Sequence, residues 1–397
     1  MSQYLHMSDA DVAVSFRTDL DIDQVAPIWL TLESQAKASF FLSWCWVGCW
    51  LRQTGLVPNL LIAERNGVVI GLALLQPGTC PSLPHWSGRY LTSSGDPAFD
   101  SVFVEYNGFL AAIDQGEAVG RAFQGFLAGR PRAGGWSRLH LPGVTDAMSA
   151  LWLDSRFVVR SEISRAAPTI LLHALRSSQT GYIDGLSRNC RYQIRRSMRL
   201  YRTDGPLTLE IAATLAEAGN FFDELRDLHQ FSWRQRGQPG AFAIPFFERF
   251  HRALLEEAWP KGHIDLLRLR VGPTVIGCLY NFHYGGDAYA YQSGFRFDAD
   301  PRRKPGLVMQ AMATERYLGL GVARYRLLAG DSRTKTSLAN AEDRLHWLVV
   351  RRPGWRAACE DGLERAGRRL SAIGRNQTVA DRIADQTGNL VNIEPLH

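Results

Sequence analysis

The sequence has little lysine and few cysteines for its length. Of 397 residues, 45 are Lys or Arg, yet lysine occurs only at positions 37, 261, 304 and 335. We attribute this bias to codon usage, so a net charge of +6 does not by itself indicate a nucleic-acid partner. The six cysteines, at 45, 49, 80, 190, 278 and 359, are not spaced like a disulfide framework. We therefore expect a protein of the reducing cytoplasm.

Motifs for metal binding, membrane spanning and covalent catalysis are also missing. Cys45 and Cys49 could share a helix face, but no His lies nearby at ligand spacing, so we expect no bound metal. The most apolar stretch, residues 40–51, is too short to span a bilayer, and the first residues do not resemble a signal peptide. Cys278 has the pattern of a core residue and Ser293 lies outside any Gly-x-Ser-x-Gly turn, so no covalent nucleophile is expected.

A faint internal repeat is present instead. The length favours two domains, and 46% apolar with 21% charged residues is typical of a globular protein. Residues 60–71 predict a strand, an Asn-Gly turn and a second strand, and residues 266–277 repeat this plan. Both segments close with Val-Ile-Gly, and helical segments precede both. We therefore predict a duplicated α/β unit, with domains at 1–175 and 176–355 and a helical tail at 356–397.

Residues 286–331 predict a strand, a basic loop, a helix and a second strand in succession. The loop carries three adjacent cations, and a glycine stands where the helix begins. The N-terminus of a helix offers unpaired N–H groups and the positive end of the helix dipole, which together favour an anion. We expect this segment to bind the phosphates of an activated acyl donor. The residues assigned to this role are Arg302, Arg303, Lys304, Gly306 and Leu307.

An arginine-rich segment lies between the two halves. Residues 188–202 place arginines three or four apart on one helix face and apolar side chains on another. The segment is either the solvated face of a docked helix or a contact surface for phosphate or an acidic substrate, since five like charges repel unless an anion offsets them. Arg191 and Arg195 are the substrate-binding candidates of this segment.

Several short motifs occur in a fixed order along the second half. They are Leu186-Ser187-Arg188, residues 228–237, the Ile276-Gly277 hairpin, residues 289–295, Pro305-Gly306, and Leu328-Ala329-Gly330-Asp331 followed by Lys335. In this order they resemble the CelD-like (cellulose-biosynthesis) acetyltransferase family, a branch of the GNAT-type acyltransferases related to FemAB. The resemblance runs from about residue 186 to 338, and the N-terminal half matches only loosely. It implies an α/β fold of two tandem GNAT-like units, the first degenerate, each with a mixed, mostly antiparallel sheet flanked by helices.

The resemblance also implies a function. An acetyl or other acyl group would move from acyl-CoA, the co-substrate, to an amine or sugar-amine acceptor, in envelope polysaccharide metabolism and without a metal. Two alternatives stay open. One is a FemAB-like transferase that uses aminoacyl-tRNA, which would be the one nucleic-acid partner. The other is a catalytically silent accessory protein for polysaccharide assembly, held to a partner by the tryptophans of residues 44–50.

Acyl transfer from a thioester needs a positioned amine, a route for its proton and donors for the oxyanion. Gly294, inside a strong strand, predicts a bulge or a close approach that frees backbone N–H groups. Asp331 follows a strand, where open α/β sheets place ligands, and we expect it to orient the amine or take its proton; a helix cap is the alternative. The remaining candidates are Lys335 and Tyr291 as catalytic residues, and His229, Trp233 and Gln292 as substrate-binding residues, with a satisfied half-buried histidine as the alternative for His229.

Overall fold

The computed structural model describes residues 6–7, 12–79, 87–129, 136–153, 157–178, 181–330 and 332–351. The strands in these ranges are β1 (His6–Met7), β2 (Ala13–Arg17), β3 (Leu60–Arg65), β4 (Val68–Thr79), β5 (Ser87–Leu91), β6 (Leu110–Ala111), β7 (Arg138–Thr145), β8 (Val158–Leu171), β9 (Leu207–Ile211), β10 (Ile264–Val271), β11 (Thr274–Tyr284), β12 (Asp287–Phe295), β13 (Arg324–Arg326) and β14 (Ala341–Arg351). The helices are α1 (Ile22–Glu33), α2 (Trp44–Thr54), α3 (Gly116–Gly129), α4 (Asp146–Ala150), α5 (Leu172–Ser178), α6 (Tyr182–Gly185), α7 (Arg188–Arg202), α8 (Leu215–Gln235), α9 (Pro245–Ala258), α10 (Pro305–Gly319) and α11 (Arg333–Leu338).

The described chain divides into two compact units. The first holds the residues up to Ser164 together with those from Arg344 onward, and the second holds Arg165 to Asp343. These limits differ from the predicted domains, which placed a boundary after residue 175 and kept the last described strand in the second domain. The physical reason is long-range pairing, because β14 forms an antiparallel ladder with β7 of the first unit.

The sheet of the first unit has the strand order β1-β2-β3-β4-β5-β7-β14. Every pair in it is antiparallel except β5 and β7, which run parallel through Gly88–Tyr90 and Arg138–His140. The turn between β3 and β4 is the predicted Asn66-Gly67 pair, with φ of 52° and 76°. Positive φ at both positions is what a two-residue hairpin turn requires.

The sheet of the second unit has the order β8-β13-β12-β11-β10-β9. Again one pair, β12 with β13, is parallel and the others are antiparallel. In both units two helices precede the central hairpin, and one helix joins the two parallel strands (α3 in the first, α10 in the second). The β3–β4 and β10–β11 hairpins therefore hold equivalent places, and the predicted α/β fold of two tandem units is confirmed.

Helices cover both faces of the second sheet. The side chains of α7 and α10 share one hydrophobic core with β10, β11 and β12. Helix α8 packs on the other face so closely that a Cβ on Gly294 would lie 2.4 Å from the carbonyl oxygen of Leu225. Gly294 thus allows a close helix approach, and the bulge lies three residues earlier: Tyr280 pairs with Gln292 and Asn281 with Ala290, which leaves Tyr291 as the extra residue.

The tryptophans of α2 belong to the core of the first unit. Trp44, Trp46 and Trp50 are all buried, and the ring of Trp46 packs edge-on against Phe41 at 5.0 Å. The proposed partner surface over residues 44–50 is therefore wrong, since the apolar area it needed is used internally. Within the described residues, every helix falls short of the length or apolarity that a bilayer crossing requires.

Candidate functional site

The second unit has a notch between its two parallel strands. β12 pairs with β13 only through Asp287–Tyr289, and from Ala290 onward no described strand occupies that edge of β12. On the other side the chain leaves β13 through Leu328, whose φ of 62° is left-handed. A pocket opens in this notch, lined by Ala290, Tyr291, Gln292, Ser293, Gly306, Gln310, Leu327, Ser332, Thr334, Lys335 and Leu338.

The N-terminus of α10 lies at this pocket. Pro305 is the first helical residue, and the backbone N–H of Lys304 donates to Ser197 Oγ of α7 at 2.8 Å, which fixes where the helix begins. The first backbone bond of the helix runs from Val308 N to Lys304 O. No side chain of the described residues caps the N–H groups of Gly306 and Leu307. Because Pro305 has no N–H, these two groups form the open end of the helix dipole.

The basic loop before α10 is partly neutralised by its own neighbours. Arg302 donates to Asp300 at 2.8 to 3.0 Å, and this bond lowers the pKa of Asp300 to about 2. Arg303 forms an ion pair with Asp204. In the described part of the chain no carboxylate pairs with Lys304. Of the three cations predicted to bind phosphate, Lys304 therefore keeps its charge least compensated.

Lys335 lies in the pocket wall and is 8% exposed. Its Nζ donates to the carbonyl oxygens of Leu328, at 3.2 Å, and Ala329, at 2.9 Å. The ammonium group therefore stabilises the left-handed turn after β13, which carries backbone strain at Leu328. Asp331, the predicted catalytic carboxylate, lies outside the described residues.

The structure assigns Tyr291 a different role from the predicted one. Its ring packs among other aromatic rings, with centroids 4.7 Å from Phe282 and 4.9 Å from His251, and its hydroxyl is buried there. A proton-transfer role for this phenol is not supported, because the hydroxyl lies in the core. What Tyr291 offers the pocket is the backbone of its bulge.

His229 and Trp233 form part of the core under the sheet and do not line the pocket. His229 donates from Nδ1 to the carbonyl of Ser293 at 3.1 Å, and its Nε2 accepts from the backbone N–H of Ala241 at 3.3 Å. Burial lowers the pKa of His229 to about 4, so the ring is neutral. The predicted substrate contact by His229 is corrected to a structural role, since both ring nitrogens already bind the protein.

The remaining predicted residues fall into two places. Gln292 lines the pocket, and its Oε1 accepts from the N–H of Ser293 at 2.9 Å. Arg191 donates to the carbonyl of Asp184 at 2.7 Å, and Arg195 forms an ion pair with the Asp184 carboxylate. The notch thus brings together Tyr291, Gln292, Gly306 and Lys335, whereas the two arginines belong to the junction of α6 and α7.

Four polar residues of the pocket were not predicted as site residues: Ser293, Gln310, Ser332 and Thr334. Gln310 accepts a hydrogen bond from the hydroxyl of Tyr325 at 2.7 Å, and Ser332 has a buried Oγ with no hydrogen-bond partner in the described chain. One feature of the sequence pointed to Gln310: it is a lone amide in a helix whose first three turns are otherwise nearly all buried and apolar. For Ser332 no comparable feature exists. His, Cys, Asp and Glu side chains of the described chain form no cluster that could hold a metal ion.

Comparison with known proteins agrees with this architecture. Residues 188–336 match the family model described as an acetyltransferase (GNAT) domain. The sequence matches no curated protein. Among solved structures, the crystal structure of FemX is 11% identical, with a TM-score of 0.53 over 81% of this chain and 95% of that chain.

Two further structures have lower scores. The structure of L-PGS from Bacillus licheniformis is 9% identical, with a TM-score of 0.49 over 83% of this chain and 91% of that one. A tandem GNAT protein from the clavulanic acid biosynthesis pathway is 11% identical, with a TM-score of 0.43 over 86% of this chain and 99% of that chain. At such low sequence identity a structural match indicates the fold alone, and of these three structures only FemX has a TM-score above 0.5. Residues 188–336, which lie in the second unit, are therefore similar to a GNAT-type acetyltransferase domain.

Proposed function

We propose that the protein is an N-acyltransferase that takes an acyl group from acyl-CoA and transfers it to an amine or sugar amine. The observation that carries this proposal is the notch between β12 and β13, which combines an unpaired strand edge with an open helix N-terminus. An acyl-CoA has a matching layout, because a pyrophosphate and an arm with two amide groups lead to the reactive thioester.

The donor would enter the notch along this layout. Its pyrophosphate would accept from the N–H groups of Gly306 and Leu307 and lie near Lys304. The amide groups of its arm would pair with the free edge of β12, as an added strand does. The thioester carbonyl would then lie at the bulge of Tyr291, where backbone N–H groups leave the regular ladder and can stabilise an oxyanion.

The acceptor amine would attack the thioester carbon, and the CoA thiolate would leave as the tetrahedral intermediate collapses. Asp331 would orient the amine or accept its proton. It follows β13 in the sequence, and open α/β sheets bind their ligands beyond the carboxyl ends of their strands. The resemblance to the CelD-like family suggests an amino sugar of an envelope polysaccharide as the acceptor.

A pair of variants at Gly306 tests the donor site. Gly306→Asp places a carboxylate at the helix N-terminus, which favours the helix but repels phosphate. Its Cβ would meet only the Phe295 ring at 3.4 Å, so the fold should be kept. We expect acetyl-CoA affinity, measured by calorimetry, to fall at least about 10-fold in Gly306→Asp and to stay within about twofold in Gly306→Ala. Equal affinity in wild type and Gly306→Asp would contradict the assignment.

One observation favours a second candidate, transfer from aminoacyl-tRNA. Arg188, Arg195, Arg199 and Arg202 are exposed on α7, with Tyr192 exposed among them. A cationic surface with an aromatic side chain suits an RNA backbone. Donor binding that weakens steeply with salt, and that Arg199→Ala with Arg202→Ala reduces, would favour tRNA over acyl-CoA. A chain that binds neither donor would be an accessory protein.

A further inference from the structure

A buried chain of hydrogen bonds leads to the pocket of the second unit. Asn281 Nδ2 donates to the hydroxyl oxygens of both Tyr317 and Tyr325, at 3.0 Å each. The Tyr325 hydroxyl lies 2.7 Å from Gln310 Oε1. Asn281, Tyr317 and Tyr325 are fully buried, so solvent does not compete for these bonds.

The direction of each bond in this chain follows from the amide of Asn281. Its NH₂ group donates to the Tyr317 oxygen. The same NH₂ group donates to Tyr325, whose proton is left for Gln310.

Both tyrosines keep their protons under ordinary conditions. Burial, and for Tyr317 also the Asp265 charge, raises the pKa of each hydroxyl above its usual value. Gln310 is therefore held with its oxygen toward the core. Its NH₂ group is left on the pocket side, and no acceptor in the described chain pairs with it.

We propose that Gln310 Nε2 donates a hydrogen bond to a carbonyl oxygen of the acyl donor and so helps to set its position in the notch. This inference rests on the proposed function, since it concerns the same pocket. Because the Gln310 oxygen already accepts from Tyr325, its NH₂ group is what a ligand would meet, which selects a ligand that presents an acceptor such as a thioester or amide carbonyl. An orientation fixed before binding lowers the entropic cost of making that bond.

Gln310→Glu is the matched variant, because it keeps the oxygen that accepts from Tyr325 and replaces only the NH₂ group by an acceptor. We expect the affinity for acetyl-CoA, measured by calorimetry, to fall about 10-fold. Tyr325→Phe removes the bond that holds the amide, so we expect a smaller loss of about threefold. Thermal unfolding in the absence of ligand reports whether each variant is folded.

S-ethyl-CoA, which lacks the thioester carbonyl, identifies the oxygen involved. If Gln310 binds the thioester carbonyl, the wild-type protein prefers acetyl-CoA over S-ethyl-CoA, and Gln310→Glu loses this preference. If Gln310 binds an amide of the arm, Gln310→Glu loses affinity for both ligands equally. Both results support the proposal. The proposal would be overturned if Gln310→Glu bound both ligands with wild-type affinity. If Gln310→Glu does not fold, wild-type affinity in a folded Tyr325→Phe would overturn it instead. A wild-type protein that binds neither ligand would instead overturn the proposed function.

Discussion

The two units share one strand order but differ at the place where their parallel strands separate. In the second unit β12 runs nine residues and leaves an open edge beyond β13. In the first unit β5 runs five residues, and Asn107 bridges the gap to β7. Its Nδ2 donates to the carbonyls of Leu91, at 3.1 Å, and Pro142, at 2.9 Å. The first notch is therefore closed by the protein itself.

Aromatic packing occurs where the paired part of β5 and β7 ends, at Tyr90 and His140. The Tyr90 ring stacks on His140 at 4.1 Å, and a Cβ on Gly78 would lie 2.1 Å from that ring. Gly95, with φ of 78°, allows the chain to turn against the same ring. The comparison teaches that sheet topology alone does not make a ligand site, because one connecting segment can occupy the space a ligand would take.

The largest expected effect concerns the residues that follow each parallel strand. Asp331→Asn should reduce turnover by about 10²–10⁴-fold if the carboxylate takes the proton. Stability should hardly change, because the N-cap of α11 is Ser332 and not Asp331. The counterpart in the first unit is Asp146, which directly follows β7 and bonds to His346. Asp146→Asn should leave turnover at the wild-type level. Full activity of Asp331→Asn in a steady-state assay would show that this carboxylate has no catalytic role.

Acid should destabilise both units through neutral histidines near their notches. Burial lowers the pKa of His229 and of His140 to about 4, below the value of about 6.5 in an unfolded chain. The preference of the folded state for the neutral ring contributes to the free energy of unfolding, fully above pH 6.5. This contribution is lost as the pH falls toward 4, by up to about 3 kcal/mol for the fully buried His229. The free energy of unfolding, measured with urea between pH 7 and 4.5, should depend less on pH in His229→Gln and in His140→Gln than in the wild type.

Opening the first notch should cost stability without affecting the donor. Asn107→Ala leaves two carbonyls without their side-chain donor, and we expect a loss of about 2 kcal/mol in the free energy of unfolding. Acetyl-CoA affinity should remain that of wild type, since the donor binds the other unit. Asn220→Ala, on the exposed surface of α8, is the control and should change stability by less than about 0.5 kcal/mol. If Asn107→Ala bound a second donor molecule per chain, the Asn107 side chain would be what prevents donor binding in the first notch.

The smallest effect concerns the basic loop of the second unit. Lys304→Ala should weaken acetyl-CoA binding about fivefold, because no described carboxylate offsets its charge. Arg302→Ala should change the affinity by less than about twofold, since Arg302 is exposed and already paired with Asp300. Calorimetry on both variants separates the two residues. An equal loss in both would mean that Arg302 leaves Asp300 when the donor binds.

Much of the fold could be predicted from local patterns. The Asn66-Gly67 turn, the two Val-Ile-Gly hairpins and the helix that begins at Pro305 depend on turn chemistry and residue periodicity within a few positions. The three loop cations are adjacent in the sequence, and their role in phosphate binding stays a prediction. The pairing of the loop arginines with Asp204 and Asp300 was not predicted, because Asp204 is distant in sequence and pairs only once the chain has folded.

The sequence by itself determined that the chain would form two α/β units, and that the second would present a helix with a glycine in its first turn beside an aromatic strand. Only the tertiary structure decided that His229 and Tyr291 belong to the core, that Gln310 lines the pocket and accepts from Tyr325, and that one notch is open and the other closed. The reason is physical. Turns and periodicity act over a few residues, whereas burial and hydrogen-bond direction depend on partners brought together from distant parts of the chain.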